Sequence, residues 1–363
     1  MQAIGAAKPP LGVIFDADLG NAIDAVLALA VLYGMDGKNE CRVVATTVSK
    51  HSLASAAMAE VIARFYAGTV SADFGAVGRG LPVGMSIAGK STESTPLLDA
   101  VLGRKKPEGK PVYNHGILQL NDTADVHAVL RNAYTSQYDQ NCVTVLAGPA
   151  TNLAGVLSLP GAKELIKQKT RALVWAPDRL GADPAAAQKL LAEWPAPLYI
   201  VTPELGASLK FPAAALETNF AWSETHPIAD AYRAAQSMPY DAPTAAVAAV
   251  LAAVKLEPYF TLSAPGLATL SSRHTLVWKA GAGQHQLLQV DSAQKTALLE
   301  TMTTLASAKP VPRAPRRRRP PVVDPAKPDP AKPDPAKPDP AKPDPAKPDP
   351  AKPDPAKPDP AKP

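Results

Sequence analysis

The run Val13–Tyr33, VIFDADLGNAIDAVLALAVLY, constrains the fold more than any other stretch of the chain. It begins with an apolar, β-branched segment of the length of a buried strand, is interrupted by Asp16, Asp18, Gly20 and Asn21, and continues as an apolar helix. A strand, a tight turn and a helix in that order belong to an open α/β sheet. In such sheets ligands bind at the carboxyl ends of the strands, so Asp16 and Asp18 are expected at the rim of a cleft. Carboxylates there can hold a hard cation, accept hydrogen bonds from sugar hydroxyls, or draw a proton from water.

These residues resemble the N-terminal signature of the nucleoside hydrolase family, inosine–uridine-preferring type, which reads roughly Asp-Thr-Asp-x-Gly-Asn-Asp-x-Asp-Asp. Asp16, Asp18, Gly20, Asn21 and Asp24 are in register with it, whereas Ala22 and Ala25 stand where it has aspartate. The resemblance implies an α/β fold with an open, mostly parallel sheet and flanking helices. It also implies hydrolysis of the N-glycosidic bond of ribonucleosides, assisted by a calcium ion that binds the nucleophilic water and the ribose diol. By the same resemblance Asp18 is the catalytic residue and a metal ligand, Asp24 binds sugar, and position 25 belongs to a lost metal ligand.

Further matches extend over roughly residues 11 to 308. The strand and helix VTVLAGPATNLAGVL, 143 to 157, open the helix with Thr151-Asn152, either of which can cap it. The similar family segment implies a metal contact from the Ala147 backbone carbonyl and a sugar contact from Asn152. His115, in Tyr113-Asn114-His115-Gly116, stands where the family has a cleft histidine, or is a plain loop residue. Ser52, beside His51, replaces an asparagine expected to reach substrate. After a strand at Thr170–Ala176, Pro177-Asp178-Arg179-Leu180-Gly181 runs straight to Asp183-Pro184, so the family's ribose clamp is missing. Glu204 follows another strand and either points into the cleft or sits at a helix N-terminus favoured by the macrodipole. Met238–Thr244 again matches, but Ala246 then replaces the last metal aspartate; Asp241 and Asp16 remain as substitute ligands, Asp241 being equally an ordinary turn residue.

Composition sets the domain limits. Residues 1–10 form an extension, 11–309 one α/β domain, 310–323 a basic Pro/Arg-rich linker, and 324–363 a tail of Asp-Pro-Ala-Lys-Pro units with nothing apolar to bury. The tail favours a polyproline II rod of about 120 Å when extended. It reads as a spacer, a ligand for a Pro-motif-binding partner, or an expanded repeat without one. The net charge of +5 resides in Arg313 and Arg316 to Arg319, since each repeat is neutral; without interleaved aromatics these arginines do not argue for nucleic-acid binding. No apolar run is long enough to span a bilayer. The chain as written carries no export signal, which implies the cytoplasm unless the true start lies upstream. Cys41 and Cys142 precede strand-like runs and are expected as buried thiols. Between 69 and 111 the pattern reads as a long surface excursion with a strand entry at 78–84, and HTLVWK and HQLLQVD, joined by Ala280–Gly283, read as a hairpin before a final helix at 292–308.

Coordination chemistry then weighs the site. Calcium takes about six to eight oxygens with several carboxylates, and the three aspartates implied by the resemblance are reduced to Asp18. Three readings follow. The first is a nucleoside hydrolase-like protein with weak or lost activity that binds a nucleoside or ribose-like ligand. The second is an active hydrolase with Asp16, Asp24 and Asp241 around a calcium ion. The third is a surface or envelope adaptor working through its Pro-rich tail. Whether the chain is a homo-oligomer is left open.

Overall fold

The computed structural model describes residues 9–69, 82–89 and 93–312. Residues 1–8, the beginning of the expected strand entry at 78–81, and the arginine cluster and repeats from 313 onward lie outside the described residues.

The first half of the chain runs β1 (Leu11–Ala17), α1 (Ile23–Gly37), β2 (Cys41–Val48), α2 (Leu53–Tyr66), β3 (Val83–Met85), α3 (Pro96–Leu102), β4 (Ala124–Asp125), α4 (Val126–Thr135), β5 (Cys142–Ala147), α5 (Thr151–Val156), α6 (Ala162–Lys169) and β6 (Thr170–Ala176). The second half runs α7 (Pro184–Glu193), β7 (Leu198–Ile200), α8 (Pro203–Ser208), β8 (Lys210–Phe211), α9 (Ala215–Thr218), α10 (Pro227–Ala235), β9 (Ala242–Pro243), α11 (Ala245–Val254), β10 (Phe260–Leu262), β11 (Gly266–Leu270), β12 (Leu276–Ala280), β13 (His285–Val290) and α12 (Lys295–Ala306). The main sheet has the order β12-β11-β13-β7-β6-β5-β1-β2-β3-β4, parallel from β13 through β4, with β10 pairing β13 and β8 pairing β9 separately. The chain leaves β1 toward β2 on one side and returns to β5 on the other. That reversal opens a crevice at the strand ends.

Alternation along β1 builds both halves of the core. Val13, Phe15 and Ala17 join α1, α2, α11 and α12 in one cluster, while Ile14 joins α4, α5 and α7 on the other face. Because Val26 to Leu32 are all fully buried, α1 has no polar stripe, as befits a helix covered by sheet and neighbouring helices. Truncating Leu27 to alanine there costs about 2–5 kcal/mol. Cys41 and Cys142 start β2 and β5 as buried thiols outside any disulfide among the described residues. Among the described residues no helix is long and apolar enough to cross a membrane.

Three local expectations are corrected. The stretch 69–111 is more than an excursion, since β3 extends the sheet and α3 buries Leu97, Leu98 and Val101. Pro96 in the first turn and the apolar i, i+1, i+4 spacing carry that helix. The hairpin is β11–β12, antiparallel from Gly266↔Ala280 to Leu270↔Leu276, turning through a bend where His274 takes φ +57°. β13 instead lies parallel to β7, with its Leu288 buried in the main core. β13 thus joins the covered part of the sheet and leaves the edge to the more exposed β12. Finally, neither Thr151 nor Asn152 caps α5: Thr151 donates to Asp183 at 2.8 Å and Asn152 donates to Asp16 at 2.8 Å.

Candidate functional site

The crevice between β1 and β5 holds a cavity of about 320 Å³. Asp18, Asp24, Ala147 and Asp178 line it, together with Ala22, Ala25, Ala176, Gly206, Ala245 and Ala246 among others. Two glycines let its walls close up. Gly148, at φ +153°, brings the end of β5 against Asp18, where a Cβ would come within 2.8 Å of the Asp18 backbone nitrogen. Gly206 lets α8 approach α11, since a Cβ there would lie 2.6 Å from that of Ala245.

The three carboxylates of the opening motif go to three environments. Asp16 is fully buried and takes hydrogen bonds from Thr47 and Asn152, each at 2.8 Å on the same oxygen. Burial outweighs those two bonds and pushes its carboxyl up to about 7. Asp24, in the first turn of α1, accepts the backbone N–H groups of Ala246 at 2.7 Å and Val247 at 3.2 Å. It therefore caps α11 from outside, a helix whose own Thr244 makes no side-chain cap. Burial raises the Asp24 carboxyl against the pull of these N–H groups.

Asp18 follows the last residue of β1 and is 5% exposed. One carboxylate oxygen accepts from the Asn21 amide and from Arg179 at 3.3 Å, while the other is buried with no hydrogen-bond partner among the described residues. Burial raises its carboxyl; Asn21, Arg179 and Lys50 oppose the rise. Lys50, two residues beyond β2 and 1% exposed, donates to the Asn21 side chain at 2.8 Å and to the Glu93 carbonyl at 2.9 Å. Burial lowers its ammonium, and Asp18 and Glu93 hold it up. Asn21 thus bridges an ammonium and a carboxylate.

The other candidates lie elsewhere. Asn152 is 1% exposed and faces Asp16, away from the cavity lining. His115 is half-buried near Glu60 and Arg64 of α2, where burial lowers its pKa, and does not line the cavity. Glu204 is exposed in the first turn of α8, whose neighbours Pro203, Gly206 and Ala207 line the cavity instead. Asp241 accepts the Ala213 backbone N–H at 2.9 Å, outside the lining. Ser52 caps α2 through the Ser55 N–H. The Ala147 carbonyl lies at the cavity and accepts the Asp18 N–H at 2.9 Å.

Solved structures share this architecture. An inosine–uridine preferring nucleoside hydrolase from Bacillus anthracis superposes with a TM-score of 0.58 at 14% identity, over 81% of this chain and 99% of that one. A purine-preferring ribonucleoside hydrolase from Gardnerella vaginalis gives 0.58 at 16% identity, over 82% and 99%. The chain has a nucleoside hydrolase-like fold. The same arrangement occurs in the type III effector protein XopQ, solved with adenosine diphosphate ribose, with a TM-score of 0.56 at 13% identity over 83% and 94% of the two chains. No family model matches the sequence, and a search of curated proteins finds no match.

Against the calcium ion that the nucleoside hydrolase resemblance implies, the donor set does not fit. The positions that would supply further carboxylates, Ala25 and Ala246, face the same cavity as Asp18 but carry only methyl groups. Both Asp24 oxygens accept backbone N–H groups, and one Asp18 oxygen is shared by Asn21 and Arg179. Among the described residues no three acidic, histidine or cysteine side chains converge as a metal group. A divalent ion would also meet the charges of Lys50 and Arg179. These two cations were missed in the sequence, although each follows the carboxyl end of a parallel strand, the position that singled out Asp18. What the arrangement offers is a largely apolar-walled cleft with the Asp18, Asp24 and Asp178 carboxylates in its lining, suited to accepting hydroxyls.

Proposed function

We propose that this chain binds a ribose-bearing small molecule in the crevice beside β1, with the hydrolytic activity of the nucleoside hydrolases weak or lost. The observation that carries this reading is the Asp18 carboxylate in the lining of a cavity of about 320 Å³ whose remaining metal positions are alanine. A sugar hydroxyl would donate to the Asp18 carboxylate, and the methyl-rich walls would cover the apolar faces of sugar and base. Asp178, at the mouth, replaces the missing clamp only as a second hydroxyl acceptor. The complex of XopQ with adenosine diphosphate ribose supports a ribosyl ligand for a cleft of this architecture.

Without an ion to acidify water, a nucleophile depends on a protein base alone. The raised pKa of Asp18 favours a second reading, a slow hydrolase in which Asp18 takes the proton from water directly. Calorimetry of the full chain with inosine, uridine and ribose, alongside chromatographic assay of released base, separates the two. Binding without turnover that disappears in Asp18→Ala is the expected result. Calcium-dependent release of base at ordinary enzymatic rates would overturn the proposal, and release that persists in chelator would favour the metal-free hydrolase.

A further inference from the structure

We infer that Lys50 and Arg179 bring to Asp18, as side-chain charge, the positive potential that a bound divalent ion would otherwise supply, so that the cleft engages ribosyl hydroxyls without a metal. The ligand class rests on the reading above. The charge substitution stands on geometry of its own.

The two cations reach one carboxylate from different parts of the sheet, Lys50 from beyond β2 and Arg179 from beyond β6. Arg179 contacts Asp18 directly at 3.3 Å, and Lys50 acts on it through the Asn21 amide. Each contact is held at a cost. The Arg179 backbone lies at φ +51°, a left-handed conformation that residues other than glycine disfavour. Lys50 is 1% exposed and its two acceptors are neutral, so its charge is compensated by the field of Asp18 and Glu93. Both side chains engage the same Asp18 oxygen, one directly and one through Asn21. The other oxygen is buried with no hydrogen-bond partner among the described residues.

The charge around Asp18 is therefore partly neutralised, unlike that of a metal site. A calcium ion is held by several carboxylates that outweigh its dehydration, whereas here the Asp18 carboxylate is drawn on by two cations, both Asp24 oxygens accept backbone N–H groups, Asp178 is the one further lining carboxylate, and positions 25 and 246 are neutral. A neutral polyol is compatible with that field. A divalent ion is held less tightly by it.

The test uses the full chain and measures calcium and inosine separately by calorimetry. Inosine should bind the wild type equally well in chelator and in millimolar calcium, and the wild type should not take up calcium stoichiometrically. Carboxylates are then added as Ala25→Asp with Ala246→Asp, and the same pair is combined with Arg179→Gln and, separately, with Lys50→Met. Removing a cation should tighten calcium binding by about tenfold or more relative to the added pair alone. Arg179 is half-exposed, so the Arg179→Gln combination decides the matter even where Lys50→Met does not fold. Stoichiometric calcium on the wild type, or equal calcium affinity with and without Arg179, overturns the inference. Absence of inosine binding counts against the ribosyl cleft and leaves the calcium comparison to decide the cations.

Discussion

Asp16 and Asp18 are two residues apart, a spacing that on a strand means the same face, yet they occupy opposite environments. Asp16 is still inside β1 and points into the packed side, where Thr47 on the neighbouring strand and Asn152 on α5 close over it. Asp18 comes after β1 has ended at Ala17, so its direction is set by the turn through Gly20 and Asn21, and it opens on the cavity. Sealed Asp16 is tied to neutral donors that knit β1, β2 and α5 together. Asp18 has charged neighbours and an unused oxygen. The lesson is that a signature of closely spaced carboxylates divides into bracing and binding where the strand stops.

The sharpest way to break this contrast is by pH. The Asp16 carboxyl is raised from its ordinary 3.8 to about 7, chiefly by burial, so the folded state binds its proton more tightly than the unfolded chain does. Its contribution to stability is therefore fully present below about pH 4 and is lost as pH rises toward 7, at up to about 1.4 kcal/mol per pH unit. Asp16→Asn cannot titrate. Urea unfolding at pH 4 and pH 7.5 should show the variant gaining on the wild type by about 3–4 kcal/mol across that range. A difference that stays constant with pH would mean Asp16 is not sealed.

Asp18 should respond in the other currency, affinity. Asp18→Asn removes the charge that accepts from Arg179 and Asn21 and faces the ligand, and ribosyl binding should weaken by about 2–3 kcal/mol. Its melting temperature should change little, because the substitution also relieves a carboxylate with a buried, unpaired oxygen. A large loss of stability with unchanged affinity would reverse the roles assigned to the two residues.

Asn152→Ala sharpens the same contrast from the other end of a hydrogen bond. It removes a donor to Asp16 and should cost about 1–2 kcal/mol of stability while leaving ribosyl affinity within about twofold, since Asn152 is buried away from the cavity lining. Loss of binding on this substitution, with stability intact, would restore it as a sugar contact.

The sequence carried most of this arrangement. β1, its turn and α1 followed from apolar runs broken by Asp and Gly, and the family resemblance pointed to Asp18, Ala25, Ala147 and Ala246, which line one cavity. Less was legible where position depends on what a distant element needs. Asn152 looks like a cap or a sugar contact until Asp16 is seen to require a donor. Lys50 and Arg179 lie in ordinary polar turns, and only the folded chain brings them to one carboxylate 32 and 161 residues away. The β11–β12 hairpin was mispaired because β12 and β13 have similar apolar content, and pairing is decided by which strand the covered edge of β7 accepts.

The smallest effect concerns Asp24, which belongs to both regions at once: it lines the cavity, and it caps α11 through the Ala246 and Val247 N–H groups. A carboxylate against the N-terminus of a helix with no side-chain cap of its own stabilises that helix by about 1 kcal/mol. Burial also pushes the Asp24 carboxyl up to about 7, so its stabilisation is present at low pH and is lost as pH rises toward 7; Asp24→Ala should therefore lower stability by about that amount near pH 4 and by less at pH 7.5, and change ribosyl affinity by less than Asp18→Asn does. Because the cap accepts with both oxygens, Asp24 can contribute to a ligand only through their remaining lone pairs. Thermal unfolding and calorimetry on one sample read both effects, and a loss of affinity equal to that of Asp18→Asn with no loss of stability would place Asp24 on the ligand side of the division.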